Sequence, residues 1–436
     1  MKHILHLCGL AILLTGCLSD ECQDEITYQS YTPIIVSAAD WRLDEFATAP
    51  ASDICDPSGF YVYGNYLFVL DRNEGLHIID NTDNANPRPV KFLQIPGGQG
   101  IAARNSILYV NQYVDLLAFD ISDPADPEFL SRTKNVFELY STFSTNLVHD
   151  GDVVVGYTEG TESVTVDCNS PFYNQGWYLE DDVLFAAERA QVNNFSTANG
   201  DFAAMQAGGT PETVGTGGSL ARFTISKGTL YAVDDNSLRT FSLAKADQPE
   251  FVGTSQLGWG IETIFPYGDE LYIGANNGMH IYSIDSPHDP QYLSTFQHVR
   301  SCDPVIVQND IAYVTMWGGS NCGDQGDRLM VVDVEDPSDP QLLQEIPMVN
   351  SHGLGIDGDR LFLCSATDGI RVYSVTPEGL LNEEVHQATG FNAMDVIVRP
   401  VQNELIVFGW ETNGIKQYDY SDDGILTAVS DLSVCD

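Results

Sequence analysis

Apolar residues in this chain fall in short bursts, most of them carrying an aromatic, and each burst is bounded by a polar turn. One unit recurs eight times: a Gly, Asn or Asp turn, a short apolar strand, a polar loop, then a second strand that ends in Asp or Ser. The turns are Gly64-Asn65, Asn105-Ser106, Asp150-Gly151-Asp152, Lys227-Gly228, Gly268-Asp269, Asn309-Asp310, Asp357-Gly358-Asp359 and Gln402-Asn403. Each feeds a strand, among them Leu67-Phe68-Val69, Leu108-Tyr109-Val110, Val153-Val154-Val155, Leu230-Tyr231-Ala232 and Ala312-Tyr313-Val314. The partner strands are as regular, from Leu76-His77-Ile78-Ile79-Asp80 through Val164-Thr165-Val166-Asp167 to Leu329-Met330-Val331-Val332-Asp333. Runs this short, rich in β-branched and aromatic residues and bounded by turn formers, predict strands. Asn86-Pro87, Asp123-Pro124, Asp289-Pro290 and Asp336-Pro337 close several units. Proline fixes φ and removes a donor, while Asp bonds its own backbone two residues on.

Successive turns lie about 40 residues apart, the spacing of repeats with about four short strands each. One interval, from Gly151 to Gly228, is nearly twice as long. It contains an insertion at about 168–218, rich in Gly, Ser, Thr and Asn, with one helix-like patch from Asp181 to Gln191. A four-stranded unit has two apolar faces that it cannot bury alone, so the units are expected to close into a ring. The predicted fold is all-β: a β-propeller over residues 31–436. The count is eight blades, or seven if the third unit, which lacks a clear fourth strand, is only a connector.

The strands Leu329 to Asp333, Leu76 to Asp80 and Leu116 to Asp120 resemble the LVIVD-repeat family of bacterial surface-associated propellers. Gly75-Leu76-His77-Ile78-Ile79-Asp80-Asn81, followed by Ile95-Pro96-Gly97-Gly98, carries the likeness best. The units at Asn236 to Ser242 and Asn413 to Asp419 depart from it, and 168–218 falls outside it. The resemblance implies a propeller in an extracytoplasmic setting. It implies no reaction and no catalytic residue.

The N-terminus agrees with that setting. Met1-Lys2-His3 precedes an apolar run from Ile4 to Leu14, too short to span a bilayer and suited to a signal peptide over residues 1–16. Leu14-Thr15-Gly16-Cys17 resembles a bacterial lipoprotein signal, in which the cysteine is acylated, palmitate included, and becomes the new N-terminus. Residues 17–30 then read as an acidic tether. The expected address is the outer membrane, held by acyl chains and facing the cell surface, with a periplasm-facing orientation as the alternative.

Charge narrows the partners. The chain has 62 Asp and Glu against 19 Lys and Arg, a net −43. Such a balance excludes an electrostatic nucleic-acid binder and docking through a basic patch on anionic lipid. Many of the carboxylates sit in Asp-Pro and Asp-Gly turns, where backbone capping is their expected work.

Among the cysteines, Cys302 lies in the connection entering the sixth unit and Cys322 in the loop between its second and third strands, both on what would be one face of the ring, so a disulfide between them is expected. Cys22, Cys55, Cys168 and Cys435 allow three pairings, and Cys364 sits mid-strand as a buried thiol. No P-loop, His-Glu-x-x-His, Gly-x-Ser-x-Gly or Cys-x-x-Cys occurs. No cofactor or metal site is predicted, and His77 and His280 occupy equivalent, structural positions in the repeat. The face formed by first-strand starts and second-to-third-strand loops would display Trp259, Glu262, Asp303, Trp317, His352, Asn392, Trp410 and Glu411. Aromatics beside convergent polar groups suit a protein, peptide or glycan ligand. The sequence therefore favours a non-enzymatic binding module. Its rivals are a hydrolase or lyase of extracellular polysaccharide or peptide, using Asp303, His352 and Glu262, and a scaffold subunit of an outer-membrane assembly.

Overall fold

The computed structural model describes residues 23–46, 48–49, 54–55, 57–71, 74–137, 151–167, 179–180, 183–184, 214–298, 304–317, 326–409, 414–432 and 435. The chain divides into two compact units, one of residues 39–140 and 205–436, the other of residues 1–38 and 141–204.

In the larger unit each apolar burst pairs antiparallel with the next through the predicted turns. Asn105-Ser106 and Asn309-Asp310 adopt the left-handed backbone that such tight turns need. Seven sheets result. Their inner strands are Pro57–Tyr63, Ile101–Arg104, Phe223–Ser226, Ile261–Tyr267, Val305–Gln308, Ser351–Asp357 and Ala393–Arg399, for blades 1 to 7. Inner strands of successive blades touch one another. The apolar clusters lie between blades, so each blade buries both faces only because it has neighbours. This is a seven-bladed β-propeller of four-stranded blades, blade 1 extended at its edges by Thr48–Ala49 and Thr216–Gly217.

The favoured count of eight thus gives way to its alternative, seven. The third unit of the sequence pattern is no blade: Val153–Asp167 pairs along its whole length with Gln23–Val36, in the smaller unit. Its apolar residues look like a blade strand, but its partner lies far upstream instead of in the next burst.

The repeated aromatic has a physical task. Tyr109 in blade 2 donates to the Ala246 carbonyl of blade 3 at 2.8 Å, Tyr231 in blade 3 to Pro287 of blade 4 at 2.7 Å, and Tyr313 in blade 5 to Gly379 of blade 6 at 2.9 Å. Each rings a buried body and pins its hydroxyl to a turn of the next blade. A second regularity was not visible in the sequence pattern. In every blade the outer strand slips by one residue against the third, leaving Val90, Leu130, Val252, Leu293, Leu343, Val385 and Val429 unpaired. A bulge at the same place on all seven outer edges twists them away from edge-to-edge pairing.

The ring closes without exchanging a strand, since blades 1 and 7 are each continuous in sequence. Side chains close it instead. Asn81 and Gln417 exchange two amide hydrogen bonds at 2.8 and 2.7 Å, Phe60 stacks on Phe408, and Cys55 is disulfide-bonded to Cys435. Cys22 and Cys168, like Cys17, Cys302 and Cys322, lie outside the described residues. Cys364 is buried and free, and burial pushes its thiol well above the ordinary range. Among the described residues no helix is long and apolar enough to cross a membrane.

Candidate functional site

One end of the ring, the mouth, is where inner strands begin and second strands finish. A short segment follows the inner wall of the ring. Val214 bridges Arg104 in blade 2, Thr216 and Gly217 pair with Val62 and Tyr61 in blade 1, and the Ala221 carbonyl accepts from Ile264 in blade 4 at 3.0 Å. Between these, Ser219 reaches blades 6 and 7. Its Oγ donates to Asp395 at 2.8 Å and accepts from the Leu354 N–H at 2.9 Å. The chain then enters blade 3 at Phe223.

Asp395 is the anchor of this plug. Its carboxylate also accepts from the backbone N–H groups of Ser219 at 3.0 Å, Leu220 at 3.1 Å and Val396 at 2.9 Å. Burial pushes its pKa up to about 6, with the Ser219 hydroxyl and the backbone donors pulling the other way. A side chain at Gly218 would begin 2.0 Å from Asp395 Oδ2, so only glycine lets the segment approach so closely. Asp395 is not among the sequence-predicted residues, although one signal marks it: it is the one acid in the apolar inner strand Ala393–Arg399.

Beside the plug lies a cavity of about 100 Å³. The stacked rings of Phe60 and Phe408 wall it, Ser58, Gln99 and Arg222 supply polar groups, and Asp395 stands behind. Arg222 also pairs with Asp235 at 3.1 Å. None of these residues was singled out by sequence, because their chemistry is ordinary until the ring brings them together.

The sequence-predicted face has five described members, all at the mouth. Trp259 and Asn392 precede the inner strands of blades 4 and 7, Glu262 and His352 are second in those of blades 4 and 6, and Trp317 follows the second strand of blade 5. Asp303, Trp410 and Glu411 lie outside the described residues. Trp317 and His352 are brought into contact, with ring centroids 4.5 Å apart. Thr315 Oγ1 donates to the His352 carbonyl at 2.6 Å. His352 is only 4% exposed, and burial lowers its pKa to about 4 although Asp327 pulls it up. An imidazole so placed is neutral at physiological pH and a weak base.

Trp259 is different. It stays 51% exposed, between Gly258 and Gly260, both at positive φ. The Gly260 and Ile261 N–H groups bond the Asp235 carbonyl, and Asn276 N–H bonds Gly260, so the backbone beneath the indole is fixed. Elsewhere the repeat histidines are structural: His77 lies 3.1 Å from Asp71, and His280 lies 2.7 Å from the Thr295 hydroxyl. Among the described residues no group of three or more His, Cys, Asp or Glu side chains is placed to hold a metal.

The LVIVD repeat family matches residues 54–90 and 301–346, which fall on blades 1 and 5. No curated protein matches the chain in sequence. Several solved structures match in fold. A putative 6-phosphogluconolactonase from Bacteroides fragilis is 14% identical, with TM-score 0.54 over 87% of this chain and 97% of that one. The periplasmic gluconolactonase of Pseudomonas aeruginosa is 10% identical, with TM-score 0.54 over 87% and 95%. At these identities the likeness is one of fold alone. The chain is a seven-bladed propeller that carries LVIVD repeats in blades 1 and 5.

Proposed function

We propose that this protein is a lipid-anchored, extracytoplasmic binding module that takes a glycan or peptide at the mouth of its ring. The observation that carries the reading is Trp259: a large aromatic left half exposed on a glycine-flanked, hydrogen-bonded support, with Glu262 and Asn392 at the same end. Tryptophan is enriched among the residues that carry binding energy at recognition sites. Two titratable groups near the mouth are already engaged. Asp395 holds the plug with three hydrogen bonds, and His352 is buried under Trp317. Anchoring rests on Leu14-Thr15-Gly16-Cys17, and the Cys55–Cys435 disulfide suits an exported chain.

A glycan and peptide array probed with the full chain tests this, run beside a hydrolysis assay on 6-phosphogluconolactone, the substrate named by a fold relative. The expected result is retention of one ligand class with no turnover of the lactone. Turnover abolished by His352→Ala would instead establish the hydrolase reading.

A further inference from the structure

The smaller unit offers a second recognition surface, independent of the mouth. Gln23–Val36 and Val153–Asp167 form a two-stranded antiparallel ribbon, in register from Gln23 opposite Asp167 to Val36 opposite Val153, with one slip at Ile34/Ile35. At about 3.3 Å per residue it is about 45 Å long. Thr27 and Ser163 bond across it at 3.0 Å. Among the described residues no third strand pairs with it.

Two features set it apart from a blade. Thr158, Glu159, Gly160, Thr161, Glu162 and Ser163 are consecutive and all exposed, so neither face of the ribbon is covered there. Tyr31, Ile34 and Ile35 are exposed as well. A two-stranded sheet alone is marginal in water, and a third strand is what makes one stable. Natural edges are blunted by proline, lysine or bulges. Pro33 interrupts the first strand, and the slip opposite Ile34/Ile35 leaves Val155 unpaired near the start of the second; from Gly156 to Asp167 the second strand has no proline, lysine or bulge.

Charge decides the occupant. The two strands carry Asp24, Glu25, Glu159, Glu162 and Asp167 and not one Lys or Arg. A second copy would set like charge against like charge, and an anionic lipid surface would do the same. We propose that the Gly156–Asp167 edge receives an extended, basic segment of a partner protein as an added strand. Backbone hydrogen bonds would give affinity, and the carboxylates would select for Lys and Arg.

The probe is a fluorescent peptide of about twelve residues alternating Lys with Val or Thr, with a version interrupted by two prolines, titrated against the full chain by anisotropy. The uninterrupted peptide should bind about tenfold more tightly than the interrupted one. Glu159→Gln with Glu162→Gln should weaken the uninterrupted peptide several-fold while leaving it the tighter of the two. Asp422→Asn with Asp423→Asn, the same charge removed from an exposed blade turn, should leave its affinity unchanged. Equal binding of the two peptides would mean charge attraction alone and would overturn the proposal. So would equal weakening by both variants, absence of binding, or a concentration-dependent dimer cross-linked through the ribbon.

Discussion

Aspartate does two opposite jobs in this molecule, and its surroundings decide which. In the blade turns Asp80, Asp120 and Asp336 accept from the hydroxyls and backbone N–H groups of Thr82, Ser122 and Ser338, which hold these carboxyls below the ordinary range. Asp395 is fully buried and is pushed the other way. Its carboxyl rises from 3.8 to about 6 on folding, so it binds its proton more tightly folded than unfolded. Its contribution to stability is therefore full below about pH 4 and is lost as pH rises through 6. His352 falls from 6.5 to about 4, so its contribution is full above about pH 6.5 and is lost as pH falls through 4. The two oppose one another, and the wild-type profile between those limits should be shallow. Asp395→Asn, which leaves only the histidine effect, should gain stability as pH rises across the window. His352→Gln, which leaves only the aspartate effect, should lose it. Urea midpoints measured across this range would show the divergence, and parallel profiles for the three proteins would refute it.

Among the elements, the plug is irregular yet bonds to blades 1, 2, 4, 6 and 7. Ser219 joins blades 6 and 7 through one hydroxyl, donating to Asp395 and accepting from Leu354. Ser219→Ala should cost about 1–3 kcal/mol, the range for orphaning buried partners. It should also speed hydrogen exchange at the Leu354 amide while leaving blade 3 protected, which exchange mass spectrometry can read. The blade strands were legible in the sequence because Leu108-Tyr109-Val110 and its counterparts repeat with fixed spacing and carry their own turns. The plug was not, because Gly215, Thr216, Gly217 and Ser219 have no apolar period and are held by residues far away in sequence. Val153–Asp167 misled for a related reason: a strand's pattern shows which faces it has, and says nothing of whether its partner is near in sequence. The mouth was half legible. Trp259 and His352 stood out by residue type, but only the fold distinguishes an exposed indole from a buried imidazole.

At the scale of the whole molecule, the ring depends on how blade 7 meets blade 1. The joint has no shared strand, so it relies on the Asn81–Gln417 amide pair, the Phe60–Phe408 stack and the Cys55–Cys435 disulfide, whose ends are 380 residues apart. A cross-link over so long a loop removes much unfolded-state freedom, and losing it should cost about 2–5 kcal/mol. Cys55→Ser with Cys435→Ser should accordingly melt at a lower temperature, and reductant should lower the wild type to match while leaving the variant unchanged. The net −43 belongs to this scale as well, since much of it lies in turns that end strands. It keeps the surface soluble without marking a catalytic centre. Recognition of a ligand at the mouth of the closed ring is proposed to rest on Trp259. It is tested by the dissociation constant of the ligand retained on the array, compared between wild type and Trp259→Ala. Affinity should be at least about tenfold weaker in the variant, a loss of about 1.4 kcal/mol, with an unchanged melting temperature. Equal affinity in the two proteins would contradict it.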